Sequence, residues 1–387
     1  MKRMKCKFVS LVVIFSMVLS GCSGVLSDKK AQNCTITGFA FDTIYTITLN
    51  KGGSEELLNS CVSKCTEYEK IFSSRLKGSE LYKINEIEQA YDEVIKADEY
   101  KVNLISSTDI SYSKEKLEKI QDAIAEKISS DNTLKYKLNS DGSMEIIVSE
   151  EMADILQKGI YYSRLSKGAF DITVQPVSSL WNFSAENPEI PDAKEITEKL
   201  EYVNYGNISL DGRTVIFKAA GMGVELGGIA KGYIADCLKK YLTDNGVKSG
   251  TINLGGNVLC IGQKPDKTPY KIGIQKPFAD RNETVDYVNI NGKSVVSSGI
   301  YERYFERDGK LYHHILDSKT GYPYDNDVVA VTIISDDSVD GDGLSTTCLA
   351  LGIDKGIELI NSIKRTYAVF IDKDGKFYYS DGFDAFK

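Results

Sequence analysis

Short strand-like segments crowd the C-terminal half of the chain, and few helical patterns separate them. Seven fall between residues 250 and 335: 250–254, 258–262, 270–275, 284–290, 294–298, 312–316 and 328–335. Two more, 367–372 and 376–379, form a predicted hairpin. The regular alternation of strand and helix that is typical of a doubly wound sheet is not seen. The pattern therefore predicts an α+β fold of mixed, mostly antiparallel sheets with packed helices.

Apolar residues at helical spacing predict five helices along the chain. The first follows Ser54, a plausible N-cap, and continues to Phe72. The others cover about 114–128, Ser149 to about Leu165, 230–242 before Gly246, and a final helix that begins near Gly343. Further short strands are predicted at 41–49, 144–148 and near 207–218.

Residues 86–143 differ from their surroundings because they are rich in lysine and glutamate and have weak periodicity. We interpret this stretch as an inserted surface subdomain. The remainder of residues 35–387 is predicted to form one domain.

The N-terminus has the features of an export signal. Lys2, Arg3, Lys5 and Lys7 precede an apolar run of 12 residues, 8–19, which is too short to span a bilayer as a helix. The run ends in Leu-Ser-Gly-Cys, which resembles a bacterial lipobox with Cys22 as the lipidated residue. Residues 1–21 are thus a predicted signal peptide and 22–34 a flexible tether. A plain secretory signal, with Cys22 incidental, is the alternative.

Composition excludes several classes of protein. The 387 residues are 42% hydrophobic and 26% charged, which is typical of a globular protein. Net charge is −8, and removal of the four basic residues of the signal makes it −12. The acidic balance argues against nucleic-acid binding. We expect a soluble body outside the cytoplasm, anchored to the bacterial cell membrane by its acyl chains. Cys61, Cys65 and Cys237 fall on apolar helix faces and are predicted buried thiols.

The densest motif is the segment 225–236, Glu-Leu-Gly-Gly-Ile-Ala-Lys-Gly-Tyr-Ile-Ala-Asp. Two glycines before a helix let backbone N–H groups approach an anion, and Lys231 adds a cation in the first turn. The glycine spacing does not match a Walker A loop. A tight packing turn explains a Gly-Gly pair equally well.

The chain has only two histidines, His313 and His314, and Asp317 follows them. An imidazole can transfer protons near neutral pH. Because adjacent strand residues point to opposite faces, one histidine should face a site and the other the solvent or core. A purely structural histidine is the alternative.

Asp342 and Thr346 are four residues apart, so they share one face of the predicted final helix. A carboxylate and a hydroxyl in this arrangement are hard oxygen ligands suited to magnesium. An N-capping aspartate with a threonine in the first turn is the alternative.

In combination, these motifs resemble the FAD:protein FMN transferases, the ApbE family. The matching segments are 41–43, 79–85, 168–174, 225–236, 253–257, 314–321 and 342–346. The resemblance covers roughly residues 35–385 apart from 86–143. Phe41 replaces a methionine found in many relatives, and Ser318 replaces the usual proline.

The resemblance implies an ApbE/T-fold-like domain that transfers the FMN moiety of FAD to a Thr or Ser hydroxyl of a partner protein and releases AMP. Mg²⁺ would be held by Asp342, Thr346 and the Gly228 carbonyl. His314 would be the base and Asp317 would orient the loop or the ring. The implied FAD-contacting or pocket-bordering residues are Phe41, Tyr82, Asn85, Ala169, Phe170, Asp171, Glu225, Lys231 and Leu316.

Acceptors in the family carry an Asp-x-x-(Ser/Thr)-Gly-Ala-(Ser/Thr) motif, and this chain has no copy, so it should act on another protein. Two other functions stay open. An FAD pyrophosphatase would use water in place of the acceptor and give FMN and AMP. A non-catalytic flavin-binding lipoprotein would gain little from a metal beside the scissile bond.

Overall fold

The computed structural model describes residues 33–97, 112–280 and 283–387. The predicted signal peptide and Cys22 lie outside the described residues. The helices are α1 (Glu55–Phe72), α2 (Glu80–Ala97), α3 (Lys114–Lys127), α4 (Glu150–Leu165), α5 (Gln175–Ser178), α6 (Ala193–Leu200), α7 (Ala230–Asp244), α8 (Ser338–Leu351) and α9 (Ile353–Ser362). None of the helices in these ranges is long and apolar enough to cross a membrane.

The strands are β1 (Cys34–Ala40), β2 (Thr43–Lys51), β3 (Lys135–Leu138), β4 (Met144–Ile147), β5 (Ile208–Asp211), β6 (Thr214–Phe217), β7 (Ser249–Leu254), β8 (Asn257–Gly262), β9 (Tyr270–Gln275), β10 (Thr284–Ile290), β11 (Ser294–Gly299), β12 (Tyr304–Arg307), β13 (Lys310–His313), β14 (Val328–Ser335), β15 (Tyr367–Asp372) and β16 (Phe377–Tyr379). Single 3₁₀ turns cover Tyr205–Asn207 and Phe383–Phe386.

The main sheet has eight strands in the order β1-β2-β7-β8-β11-β14-β15-β16. A second sheet has the order β3-β4-β6-β5, and β9–β10 and β12–β13 are separate hairpins. Every described strand pair is antiparallel. The predicted α+β class is therefore confirmed.

Strand β14 lies inside the main sheet, between β11 and β15, and all eight of its residues are buried. Val331 and Ile333 join the large core that the helices cover, whereas Ala330 and Ile334 join a smaller core under the β9–β10 hairpin. A strand that is covered on both faces has no polar side, which is why β14 does not alternate between apolar and polar residues.

Helix α8 packs against α7, β11 and β14. It is buried along most of its length, and its polar residues are not gathered on one side, so its sequence has no amphipathic pattern to mark where it begins. The predicted start near Gly343 is wrong, because the helix begins at Ser338. Asp342 is consequently the fifth residue of the helix, and the N-capping alternative for it fails.

Local capping signals predicted other helices well. The Ser54 side chain accepts a hydrogen bond from the Leu57 N–H, and α1 begins at the next residue. The helices predicted at 114–128 and 149–165 are confirmed as α3 and α4. The sequence pattern does not predict α2, because this segment is highly charged. Two of its charged residues, Glu88 and Asp92, are nevertheless buried.

The predicted insertion at 86–143 packs into the main core in the parts that the structure describes. Residues 86–97 continue α2, and β3 pairs with β4 in the four-stranded sheet. Ile120 and Ile124 of α3 are buried in the core that includes Tyr91 of α2. The domain boundaries stay a prediction, but a subdomain that lies only on the surface does not fit these contacts.

We expect Ile124→Ala to lower the free energy of unfolding by about 2–5 kcal/mol, because the side chain is fully buried and its removal leaves a cavity. Asp122→Ala, an exposed change on the same helix, should stay within about 0.5 kcal/mol of the parent. Urea unfolding measures both. Equal effects from the two variants would show that α3 contributes nothing to the core.

Candidate active site

The site is organised where α7 approaches α8. A Cβ atom added to Gly232 would lie 2.3 Å from the Ser338 carbonyl oxygen and 2.6 Å from the Val339 Cα, so only glycine permits this approach. Asp236, one turn later on α7, accepts hydrogen bonds from the N–H groups of Ser338 (2.8 Å) and Val339 (2.9 Å). A carboxylate from α7 therefore caps the N-terminus of α8.

Asp342 is held rigidly in this contact. Its Oδ2 accepts a hydrogen bond from the Gly232 N–H (2.6 Å), and its Oδ1 accepts one from the Asn257 amide (3.1 Å). Asn257 is fixed in turn by the Ser338 hydroxyl, which donates to its Oδ1 at 2.6 Å. Burial raises the pKa of Asp342, and the positive charge of Lys231 opposes this rise.

The three predicted magnesium ligands lie around the same end of α7. Thr346 follows Asp342 by one turn of α8 and is partly exposed, and its Oγ1 lies 3.5 Å from the Ser298 hydroxyl. Gly228 immediately precedes α7, and a Cβ there would lie 2.8 Å from the Phe170 ring. A carboxylate, a hydroxyl and a carbonyl fit a hard divalent cation. Residues 33–97, 112–280 and 283–387 contain no group of three or more His, Cys, Asp or Glu placed for a metal.

The loop before α7 is anchored to α1 and α2. Glu225 accepts hydrogen bonds from the Ser74 hydroxyl (2.8 Å) and the Gly227 N–H (2.9 Å). Asn85 donates to the Val224 carbonyl (2.9 Å) and accepts from its N–H (2.7 Å), so its amide acts as a strand partner. Asn85 thus supports the loop before α7. Tyr82, one turn earlier on α2, is partly buried.

The turn 168–171 is tied to the loop that follows the histidines. The Ala169 carbonyl accepts from the Tyr324 hydroxyl at 2.8 Å, and the Gly168 carbonyl accepts from the Ser318 hydroxyl at 2.6 Å. Asp171 is buried and accepts from the Thr173 N–H (2.8 Å) and hydroxyl (2.7 Å). Its other oxygen accepts from the Tyr205 N–H at 3.1 Å. Asp171 therefore shapes the turn.

His313 and His314 have different environments, as predicted. The predicted strand 312–316 is wrong in its bounds, because β13 ends at His313 and His314 lies beyond it. His313 is buried. Its Nε2–H donates to the Tyr324 carbonyl (2.9 Å), and its Nδ1 accepts from the Ile315 N–H (3.3 Å). Burial lowers the pKa of His313 to about 4. Because both ring nitrogens are occupied by backbone groups, His313 is structural.

The His314 ring is oriented by a backbone carbonyl. Its Nδ1 lies 3.3 Å from the Arg303 carbonyl oxygen, which can only accept, so Nδ1 carries the proton and Nε2 presents a lone pair. Desolvation, then the charge of Arg303, lower the pKa of His314 to about 3, and the charge of Lys231 acts in the same direction. The imidazole is therefore neutral at physiological pH.

Asp317 and Leu316 support the loop. The Asp317 carboxylate accepts from the Lys319 N–H at 2.9 Å, and its carbonyl accepts from the Gly321 N–H at 2.8 Å. Of the two roles implied for Asp317, these contacts match the one that orients the loop. Leu316 is buried against Trp181 and Phe305. Its implied position beside the flavin or adenine stays a prediction.

Phe41 lies in the two-residue turn between β1 and β2. Phe41 and Asp42 both have φ of 57°, a left-handed conformation that costs a non-glycine residue about 1–2 kcal/mol. The Phe41 N–H donates to Glu69 at 2.9 Å, and Arg75 pairs with Asp42 at 3.4 Å. These contacts hold the strained turn.

The structure brings part of the predicted residues into two adjoining groups, and within the described ranges Phe41, Tyr82 and Leu316 have no contact that joins them to either group. Gly228, Lys231, Asp342 and Thr346 surround the contact of α7 with α8, and the turn 168–171 lies beside the loop of His314. The Phe170 ring on Gly228 and the charge of Lys231 near His314 connect the two groups. Sequence reasoning assigned no role to Asn257, Asp236 or Arg303. Asn257 and Asp236 lie within segments that resemble the family, whereas nothing in the sequence marks the Arg303 carbonyl.

Gly232→Ala should move α7 away from α8 and so misplace Asp342 and Lys231. We expect a loss of about 1–3 kcal/mol in the free energy of unfolding, as for other overpacked sites, together with weaker FAD binding. Urea unfolding and a flavin titration measure the two effects. Lys240→Ala, an exposed change on the same helix, is the control. Parent-like stability and binding in Gly232→Ala would contradict the close approach.

Comparison with known proteins places these features in one family. The family model described as "ApbE family" matches residues 98–371. An FAD:protein FMN transferase of Klebsiella pneumoniae (strain 342) is 40% identical over 235 residues, 60% of this chain and 72% of the relative. One of Treponema pallidum (strain Nichols) is 32% identical over 256 residues, 62% and 71% of the two chains.

Solved structures agree with the fold. The ApbE protein from Thermotoga maritima aligns with a TM-score of 0.70 and 26% identity, over 92% of this chain and 99% of its own. The flavin transferase ApbE from Vibrio cholerae aligns with a TM-score of 0.70 and 23% identity, over 92% and 100%, and supports the fold alone. The motifs around α7 and α8, the family model and the curated relatives agree, and the chain belongs to the ApbE family.

Proposed function

We propose that this protein is an FAD:protein FMN transferase that moves the FMN moiety of FAD onto a Thr or Ser hydroxyl of a partner protein, forms a phosphoester and releases AMP. The curated relatives carry the name of this activity. The observation that carries the proposal is the unprotonated Nε2 of His314, fixed by the Arg303 carbonyl near the cation of Lys231.

The reaction needs a positioned nucleophile, a base and countercharge at a diphosphate. The acceptor oxygen forms a bond to the phosphorus of the FMN half, and the bond from that phosphorus to the AMP oxygen breaks. His314 Nε2 receives the hydroxyl proton. Burial, and then the positive charges of Arg303 and Lys231, lower the pKa of His314 and keep the free imidazole neutral. A bound anionic diphosphate would raise its basicity toward that of an effective base.

Lys231 and the N-terminus of α7 supply countercharge for the diphosphate. Lys231 is the second residue of α7, where the helix dipole also favours an anion. Both act at the end of α7 that touches Asp342.

We propose Mg²⁺ as the metal of this site, held by Asp342, Thr346 and the Gly228 carbonyl. Asp342 has one protein donor on each oxygen, which leaves lone pairs for a cation. When bound, the ion would neutralise charge on the diphosphate. Asn257 and the Gly232 N–H would keep the carboxylate in its orientation, as outer partners of metal ligands commonly do.

A transfer assay tests the activity. The soluble protein is mixed with FAD, Mg²⁺ and a protein that carries the Asp-x-x-(Ser/Thr)-Gly-Ala-(Ser/Thr) motif, and the denatured acceptor band is examined for flavin fluorescence. A fluorescent acceptor supports transfer. Free FMN alone would indicate the pyrophosphatase, and intact FAD would indicate a flavin-binding protein.

Two variants should separate binding from chemistry. His314→Ala removes the base, so transfer should fall by about 10²–10⁴ while FAD affinity stays near that of the parent. Asp342→Ala removes the charged metal ligand, so both affinity and transfer should fall. Affinity is measured from the fluorescence of Trp181, the only tryptophan of the chain. Parent-like transfer by His314→Ala would place the base elsewhere.

We further propose that the protein is lipid-anchored through Cys22 on the outer side of the bacterial cell membrane. The Leu-Ser-Gly-Cys sequence after the apolar run supports this location. Cys22→Ala should leave the membrane fraction or fail to mature, since the acyl chains would be its tether. Immunoblots of fractionated cells measure this, with Ser23→Ala as the control. A normally processed Cys22→Ala protein in the membrane fraction would contradict the anchor.

A further inference from the structure

Tyr162, near the end of α4, lies between the two segments that carry Gly228 and Asp342. Its side chain is only 2% exposed. The hydroxyl and the ring contact α8, and the ring also contacts the turn 168–171. Because protein interiors are close-packed, a buried ring in such a position cannot shift toward one segment without leaving the other.

The contacts with α8 enclose the position of Asp342 in the chain. The Tyr162 hydroxyl donates a hydrogen bond to Oδ1 of Asp340, in the first turn of the helix. The Tyr162 ring lies directly on the backbone of Gly343, where an added Cβ atom would be 2.6 Å from a ring carbon. Residues just before and just after Asp342 are therefore held by one side chain.

The contacts on the other side lead to Gly228. The Tyr162 and Phe170 rings meet edge to face, with their centres 6.2 Å apart. Phe170 in turn covers Gly228, where an added Cβ atom would lie 2.8 Å from its ring. The Phe170 N–H donates to the Ser166 hydroxyl at 2.9 Å, which fixes this residue to the end of α4. Two rings thus lie between the backbones of Gly228 and Gly343.

Gly228 and Asp342 are also connected through α7. Gly228 comes directly before this helix, and the Gly232 N–H in its first turn donates to Asp342 at 2.6 Å. The two residues are therefore held from two sides, by the first turn of α7 and by the rings of Phe170 and Tyr162. A change at Tyr162 alters one of these supports and leaves the other in place.

We propose that Tyr162 is a positioning residue that sets the distance between the Gly228 carbonyl and the Asp342 carboxylate for a divalent cation. The inference rests on the proposed function and on its Mg²⁺ site. Mg²⁺ requires a nearly ideal octahedral arrangement of its ligands, so a small change in their separation weakens its binding. Tyr162 acts through Asp340, Gly343 and Phe170 and takes no part in the chemistry.

The proposal is tested with Tyr162→Phe, which keeps the ring and removes the hydroxyl. The matched control is Tyr161→Phe, the same change at the neighbouring residue, whose side chain is 55% exposed. Mg²⁺ is titrated at a fixed FAD concentration, and flavin binding is followed by the fluorescence of Trp181. We expect the half-saturating Mg²⁺ concentration to rise about 10-fold in Tyr162→Phe, the lower end of the range for outer partners of metal ligands. Tyr161→Phe should match the parent.

A second measurement separates positioning from general support of the fold. Urea unfolding in EDTA reports how much stability the variant loses when no divalent ion is present. If Tyr162→Phe loses stability in EDTA but has the half-saturating Mg²⁺ concentration of the parent, its role is only structural and the proposal is wrong.

The partner of the hydroxyl gives an independent test. Asp340→Ala should raise the half-saturating Mg²⁺ concentration by the same factor as Tyr162→Phe, and the double variant should show no further rise, as expected for two groups in contact. Asp340→Asn keeps an oxygen that accepts the hydrogen bond and should restore a value near that of the parent. An effect of Asp340→Ala that adds to that of Tyr162→Phe would contradict the proposal, because Asp340 would then act on the ion by itself.

The outcomes also distinguish this inference from the function on which it rests. If FAD binding by the parent depends on Mg²⁺ and Tyr162→Phe behaves like the parent, the positioning role is wrong and the metal site stands. If FAD binding and acceptor labelling by the parent do not depend on Mg²⁺, the metal site fails and the positioning role fails with it. Labelling of the acceptor by the parent decides the transferase function in either case.

Discussion

The close approach of α7 to α8 is the contact on which the rest of the site depends. Because Gly232 has no side chain, the backbone of α7 reaches Ser338, and the Gly232 N–H reaches Asp342. Asp236 then caps α8 from the same helix. One face of α7 thus fixes the start of α8 and the position of Asp342. The main sheet behind α8 gives this arrangement its rigidity.

The two neighbouring histidines show how backbone carbonyls assign chemical roles. The Tyr324 carbonyl selects the Nε2–H form of His313, and the Arg303 carbonyl selects the Nδ1–H form of His314. Both ring nitrogens of His313 are thereby used in structural hydrogen bonds. The Nε2 of His314 keeps a lone pair, which is the acceptor in the proposed reaction. Neutral imidazoles suit both roles, since a charged ring would be poorly solvated at either position.

Several side chains matched by the family motifs serve the loops more than a ligand. Asn85 fills the place of a strand partner for Val224, Asp171 closes its own turn, and Leu316 joins the aromatic cluster around Trp181. Such residues keep backbone groups and a few exposed side chains in place. The motifs of this protein therefore contain residues with a proposed chemical role together with residues that hold the loops in place.

The sequence by itself determined the α+β class, most of the strands, and helices such as α1 and α7, because periodicity and capping are local properties. Through a resemblance to a family, it also predicted which segments contribute to one site. It did not reveal the early start of α8 or the buried charged residues of α2, because a fully covered helix has no polar face and charged residues normally indicate a surface.

Tertiary structure alone decided which histidine is buried and which carbonyl each ring contacts. It also decided what holds Asp342, and that residues 86–97 and the described part beyond them belong to the core. Each of these depends on a partner far away in the chain: the Arg303 carbonyl, Asn257, or the main core that receives Ile124. Hydrogen-bond partners and burial are set by three-dimensional packing, and no local pattern of residues specifies them.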